Sequence, residues 1–279
     1  MRDEVAQQAG LLIKPRINPI LRWAGSKRQI INRLMPFWNS SYQRYVEPFA
    51  GSATLFFAIE PSNALLADLN LELIDTYDVL RKFPKELHSH ISLIPKNKKT
   101  YLEIRGAQVK KLSKFDRAVR FIYLNRLCFN GIYRTNRKGE FNVPYASTGT
   151  GLTPSVEQFC LCADSLNKAE IHSWDFSRTL SEVKKGDFVY LDPPYAVEDR
   201  RIFCEYGPKA FSKKNLTQLV GHLERIDLIG AAFLMSYADC KEARLLFKKW
   251  RQKRIKVRRN IAGFSSHRRH AYELLITNI

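Results

Sequence analysis

Short apolar runs closed by small residues, proline or an acid mark both ends of this chain, whereas its middle follows a helical period. RYVEPF (44–49) is a brief apolar run that stops at a proline. AGSATLFFAIE then passes through small residues into a helical pattern, predicted from about Ala53 to Glu60, and ALLAD is a second short strand ending at Asp68. Strand, tight small-residue turn, helix, and strand with a terminal acid is how a doubly wound α/β sheet begins. The same order returns in DFVYLDPPY (187–195), a strand running into a turn, followed by helix-like LVGHLERI (219–226) and strand-like AAFLMSY (231–237). From about Leu71 to Lys138 apolar positions recur at helical spacing, with Pro84 and Pro95 as punctuation. Residues 1–18 read as a loosely ordered lead-in, and no internal repeat or low-complexity tract is present. The pattern predicts a Rossmann-like α/β domain over 14–71 and 161–279, interrupted by a mainly helical insertion over 72–160.

Charge changes this picture. The chain carries 46 Lys and Arg against 27 Asp and Glu, a formal net charge of +19. Such a surplus repels itself unless a polyanion binds it, so it favours nucleic acid over a merely solvated surface or contact with an acidic membrane. The excess is uneven: 96–138 holds 13 basic residues but only Glu103 and Asp116 as acids. Five cysteines without a C-x-x-C pair, and no histidine at ligand spacing from them, argue against a structural metal and against a disulfide framework. They suit a reducing cytosol. Met1 to Gly10 lacks an apolar signal core and no run approaches a membrane span, so a cytoplasmic protein that is monomeric in solution is expected.

Two turns carry candidate chemistry. In EPFAGSA (47–53), Gly51 and small neighbours at a strand tip let backbone approach a ligand, and Asp68 at the end of the next strand can bind a ribose diol. Taken alone, an ordinary tight turn explains it equally well. AGSK (24–27) lacks the spacing of a phosphate-binding P-loop. The second turn, DPPY (Asp192 to Tyr195), is more telling. Two prolines stiffen the chain after a strand and remove two N–H donors, which fixes carbonyls, a carboxylate and a ring at the open end of a sheet. An exocyclic amine needs that set. The N6 lone pair of adenine is delocalised, and the Asp192 carboxylate with the Pro193 carbonyl would accept its hydrogens and favour a tetrahedral nitrogen. Tyr195 would stack on the base, and Pro194 completes the rigid turn. A proline-rich strand end with no chemistry is the competing reading.

Together these segments resemble the Dam-type adenine-N6 DNA methyltransferases of the alpha arrangement. RWAGSK (22–27) resembles the N-terminal cofactor motif, EPFAGSA the strand-one motif, ADLN (67–70) the ribose-binding acid, and WDF (174–176) the segment before the catalytic strand. LDPPY (191–195) matches the catalytic motif and IKVRR (255–259) a late strand, so the resemblance covers almost the whole chain. It implies S-adenosyl-L-methionine as methyl donor, S-adenosyl-L-homocysteine as product, and no metal. The cofactor pocket would comprise Trp23, Ala24, Gly25, Lys27, Glu47, Pro48, Phe49, Gly51 and Ser52. Asp68 and Asn70 would hold the ribose, Asp175 and Phe176 the adenine end, and Asp192 would serve both cofactor and target amine. Ser26 and Ala53 stand where relatives often have Gly, which suggests a slightly altered pocket.

NRLCFNGIYRTNRKGEFNVPYA (125–146) is similar to the family's DNA-reading β-hairpin. Phe129, Ile132 and Tyr133 are apolar or aromatic wedges; Asn130, Arg134, Asn136, Arg137 and Lys138 are polar readers, and Pro144 closes the stretch. The resemblance implies that Arg134 reads a guanine, Phe129 enters the duplex, and the target is GATC. No acid lies between Glu242 and Glu273, and Arg259, Arg268 and Arg269 of that region would contact phosphates. Duplex adenine would have to be flipped out of the stack. Asp192→Ala is expected to abolish transfer while largely sparing folding, and Arg134→Ala to relax sequence preference. The resemblance implies double-stranded DNA as partner, in a bacterial or phage-infected cell and in association with the nucleoid. A DNA-binding regulator without turnover, or methylation of an RNA base or protein amide, are the alternatives.

Overall fold

A computed structural model describes residues 17–136, 138–146, 151–195, 211–258 and 270–279. Seven strands form one sheet: β1 (Arg44–Glu47), β2 (Ala64–Ala67), β3 (Ala169–His172), β4 (Asp187–Leu191), β5 (Ala232–Ala238), β6 (Arg251–Arg258) and β7 (His270–Thr277). Their order is β3-β2-β1-β4-β5-β7-β6. The first five are parallel, and β7 runs antiparallel between β5 and β6. β2, β4 and nearly all of β5 are buried, as parallel strands covered on both faces must be.

Ten α-helices lie among the described residues: α1 (Ile31–Leu34), α2 (Thr54–Ile59), α3 (Leu71–Lys82), α4 (Pro84–Leu93), α5 (Lys98–Gly106), α6 (Lys114–Leu127), α7 (Val156–Leu166), α8 (Phe176–Ser181), α9 (Lys213–Leu228) and α10 (Lys241–Leu246). Local chemistry sets their starts. Asn70 accepts a bond from the backbone of Leu73, Ser113 from Asp116, and Ser212 shares a capping box with Asn215. None of these helices is long and apolar enough to cross a membrane.

Alternate residues of each strand feed opposite faces. Tyr45, Leu66, Phe188, Tyr190 and Leu234 meet the inner faces of α3, α4, α6 and α7 through Tyr77, Leu80, Leu87, Phe121 and Phe159. Val46, Leu65, Val189, Leu191 and Phe233 meet α8, α9 and α10 through Leu180, Leu219, Leu223 and Phe247. Helices from the segment expected as an insertion, 72–160, thus cover one side of the sheet together with Ile31 and Leu34 of α1 and Phe56 and Phe57 of α2. A smaller cluster of its own joins Tyr101, Tyr123, Leu124, Leu127, Phe141 and Val143.

The hairpin expected over 125–146 is shorter and more ragged. Asn125, Arg126 and Leu127 are the last turn of α6, because the helical period runs on to Leu127 before Cys128 turns extended. A 3-10 turn covers Phe129–Gly131, and among the described residues the two arms form no regular strands, being joined by the bridges Cys128↔Tyr145 and Thr135↔Phe141 and a few further backbone bonds. The strand read as 255–259 starts earlier, at Arg251.

Candidate active site

Chain order reverses between β1 and β4, and in an open parallel sheet the crevice lies at the carboxyl ends beside such a reversal. Glu47 ends β1, Asp68 follows β2, Asp175 lies beyond β3 and Asp192 follows β4. β2, β1 and β4 are neighbours in the parallel part of the sheet, so Asp68, Glu47 and Asp192 all stand at its carboxyl edge.

The turn after β1 is tightly tied. Gly51 adopts φ 47° and Ala53 φ 49°, both left-handed, a conformation that suits glycine and costs Ala53 some backbone strain. The Asp68 carboxylate accepts the Gly51 N–H through Oδ2 and the Asn70 N–H through Oδ1, each at 2.9 Å. Beneath the turn, the Tyr77 hydroxyl donates to the Gly51 carbonyl at 2.6 Å. Ser52 is buried and its hydroxyl lies 3.0 Å from that of Thr54. On the outer side Phe49 and Phe176 stack at 5.5 Å, and Phe211 closes edge-on against Phe49 at 6.0 Å. Asp175 is exposed and caps α8 by accepting the Ser177 N–H at 2.9 Å.

The charged centre is Lys27. Its ammonium is buried, 2.8 Å from Asp192 Oδ1 and 3.9 Å from Glu273 Oε1, and donates to the Gly25 carbonyl at 3.0 Å. Burial pulls its pKa down, but Asp192 foremost, with Tyr195, Glu273 and Tyr190, holds it well above the ordinary 10.5, so it stays charged. Ser236 Oγ also donates to Asp192 Oδ1, at 2.9 Å, and lies 3.1 Å from the Tyr190 hydroxyl. Both donors thus fall on one oxygen, and Asp192 Oδ2 takes no hydrogen bond among the described residues. The Tyr195 hydroxyl donates to Glu273 Oε1 at 3.1 Å while its ring meets Tyr237 edge-on at 5.2 Å. Pro193 is buried and Pro194 half-buried. With this geometry Asp192→Ala would strip a buried ammonium of its nearest counter-charge, so the variant is expected to lose stability as well as activity.

Sequence reading passed over Ser236, Glu273 and Tyr77. Two of them carried a signal: Ser236 is a lone hydroxyl in an apolar strand, and Glu273 is the first acid after a long acid-free run.

Trp23 links this centre to the insertion. Its indole stacks on Tyr133 at 5.7 Å and on Phe121 at 6.4 Å, and Asn125 on α6 brackets the backbone of Arg22, accepting its N–H at 2.8 Å and donating to its carbonyl at 2.7 Å. Tyr133 is therefore a packing residue rather than a wedge, with its hydroxyl on Glu72 at 3.0 Å. Phe129 is 40 % exposed, beside the left-handed Asn130 at φ 56°. Arg134 donates from Nε to Asn142 Oδ1 at 2.9 Å. The Asn136 side-chain Oδ1 accepts the N–H groups of Lys138 and Glu140, which commits it to the hairpin turn. Pro144 is exposed, and its carbonyl accepts the Phe129 N–H at 2.9 Å. Arg137, Arg259, Arg268 and Arg269 lie outside the described residues.

Residues 23–261 match the family model of D12 class N6 adenine-specific DNA methyltransferase. The chain is 32 % identical over 282 residues to the Type II methyltransferase M1.LlaDCHI of Lactococcus lactis subsp. cremoris, covering 96 % of this chain and 98 % of that protein. It is 30 % identical over 267 residues to the Retron Ec67 DNA adenine methylase of Escherichia coli, covering 93 % and 90 %. With the DNA adenine methylase of Escherichia coli strain K12 it shares 28 % identity over 260 residues, covering 91 % and 93 %. The chain belongs to the D12 class of N6 adenine-specific DNA methyltransferases, and it is an enzyme of that kind.

Proposed function

We propose that this enzyme transfers a methyl group from S-adenosyl-L-methionine to the N6 of an adenine flipped out of duplex DNA, within GATC. The observation that carries the reading is the one-sided bonding of Asp192. Lys27 and Ser236 clamp Oδ1 and fix the carboxylate plane, which leaves Oδ2 to accept from an incoming amine.

The pocket residues fit the donor. Backbone at Gly51 approaches closely, the Asp68 carboxylate is oriented by two N–H groups, Phe49 and Phe176 offer a ring stack, and the acids Glu47 and Glu273 flank the centre. When bound, the cofactor supplies an electrophilic methyl on a sulfonium. The chain's own residues do the rest by positioning. Asp192 Oδ2 and the Pro193 carbonyl hold the amine hydrogens, and Tyr195, its hydroxyl anchored on Glu273, stacks on the base.

Residues 72–160 form the target-recognition unit on this reading, and 14–71 with 161–279 the catalytic one. Within the recognition unit, exposed Phe129 enters the duplex and Arg134 reads guanine, supported by the hairpin's likeness to those of GATC enzymes. Labelled methyl transfer to unmethylated duplexes, with and without GATC, and to matched RNA tests the proposal. Restriction-protection mapping of DNA from expressing cells locates the modified sequence. Transfer to RNA alone, or to duplexes regardless of sequence, would sink it.

A further inference from the structure

Beyond the catalytic cluster, a second charged assembly stands on the same rim of the sheet. Asp239 follows β5 and its side chain is only 3 % exposed. It accepts from Arg244 at both oxygens, Nε to Oδ1 at 2.5 Å and Nη2 to Oδ2 at 2.7 Å, and from Arg254 Nε at 2.6 Å. Arg244 belongs to α10 and Arg254 to β6, so one buried acid gathers two arginines from separate elements. The Arg254 guanidinium also lies over the Tyr272 ring, 3.6 Å from its centroid. Exposed Lys256 follows on the same side of β6, in register with Tyr272. Leu191 is level with Met235, so Asp239 stands about three residues, roughly 10 Å, beyond Asp192 toward the open end.

We propose that Arg244, Arg254 and Lys256 form a preformed clamp for a backbone phosphate of the duplex, beside the target adenine and separate from the hairpin. The clamp rests on the duplex-DNA reading above. Two guanidinium groups share one carboxylate, so net positive charge is left over, and each keeps N–H donors beyond those on Asp239. Both side chains are about half exposed, at 49 and 53 %. A surface arginine usually loses rotamer freedom when it binds; Asp239 and Tyr272 have already imposed that loss here.

Affinity for labelled duplexes, cognate and non-cognate, measured across a range of salt concentrations tests the clamp. Arg254→Gln should weaken both duplexes by the same factor and lower the slope of log affinity against log salt by about one. Arg244→Gln should do the same, and stands in if Arg254→Gln fails to fold. Lys185→Gln, an equal charge loss at the opposite end of β4, should leave the slope unchanged. Asp239→Asn adds a positive charge yet should bind DNA more weakly, because it releases the arginines. Slopes in Arg254→Gln and Arg244→Gln equal to that of Lys185→Gln, or tighter binding by Asp239→Asn, would overturn the clamp. Failure of the Lys185→Gln chain to bind any duplex would instead count against DNA as the partner.

Discussion

The indole of Trp23 fills the space that a side chain on Gly51 would need: a Cβ there would lie 2.7 Å from Trp23 Cδ1. Tyr133 backs the indole on its other side, so the ring has little room to retreat. Gly51→Ala combines that clash with the left-handed φ of 47°, a backbone cost of about 1–2 kcal/mol for an L-residue. The variant should melt lower and bind the methyl donor more weakly. Thermal unfolding and calorimetric titration check both, and unchanged donor affinity would remove this turn from the pocket.

Asp192→Ala should cut turnover by at least about a hundredfold, as loss of one preorganised polar contact does. It should also destabilise by about 3 kcal/mol, the low end for breaking a buried ion pair, since Glu273 stays 3.9 Å from Lys27. Adding Lys27→Met should recover most of that stability and none of the activity. Denaturant unfolding and single-turnover methylation separate the two effects; activity regained in the double variant would refute the assignment of Asp192.

Burial, reinforced by the charges of Asp192 and Asp68 and only partly opposed by the Tyr45 hydroxyl, holds the Glu47 carboxyl well above its ordinary 4.5. The folded state therefore binds this proton more tightly than the unfolded chain. Its contribution is fully present below pH 4.5 and is lost as pH rises through the folded value. Glu47→Gln never ionises, so its melting temperature should gain on that of the parent from mildly acidic to mildly alkaline pH. A difference that is flat with pH would contradict the neutral buried carboxyl.

Arg134→Ala should flatten discrimination between the target duplex and one altered at a guanine, by about 1–3 kcal/mol. Competition between the two duplexes in one methylation reaction measures the ratio directly. A ratio equal to the parent's would leave Arg134 as a brace for Asn142 and nothing more.

The positions of Asp68 and Asp192 at strand ends were legible in the sequence because their signals are local: each closes a short apolar strand, and two prolines after Asp192 stop the chain from going on. Lys27 was legible as a cofactor residue but not as the partner of Asp192, a pairing made by chain segments far apart in sequence. Glu273 stood out only as the first acid after a long acid-free run, and its place beside Lys27 could not be read, since β7 brings it there by threading antiparallel between β5 and β6. β3 escaped notice for a different reason: AEIH is four residues long and lies at the sheet edge with Glu170 in solvent, so it lacks an apolar run. The hairpin was overextended because helical and extended patterns overlap at Asn125–Leu127, and tertiary packing on the Arg22 backbone decides for the helix.

How the apolar side chains divide between clusters bears on chimeras that exchange target sequence between relatives. A cut at residue 72 would carry away Leu73, Tyr77 and Leu80 and leave much of one side of the sheet to α1 and α2 alone. α6 contributes to both clusters, with Ala118, Phe121 and Ile122 toward the sheet and Tyr123, Leu124 and Leu127 toward the hairpin. A transplant that keeps the sheet-facing side of α6 and replaces the hairpin together with its small cluster moves the hairpin as a sealed unit, without opening the floor beneath it.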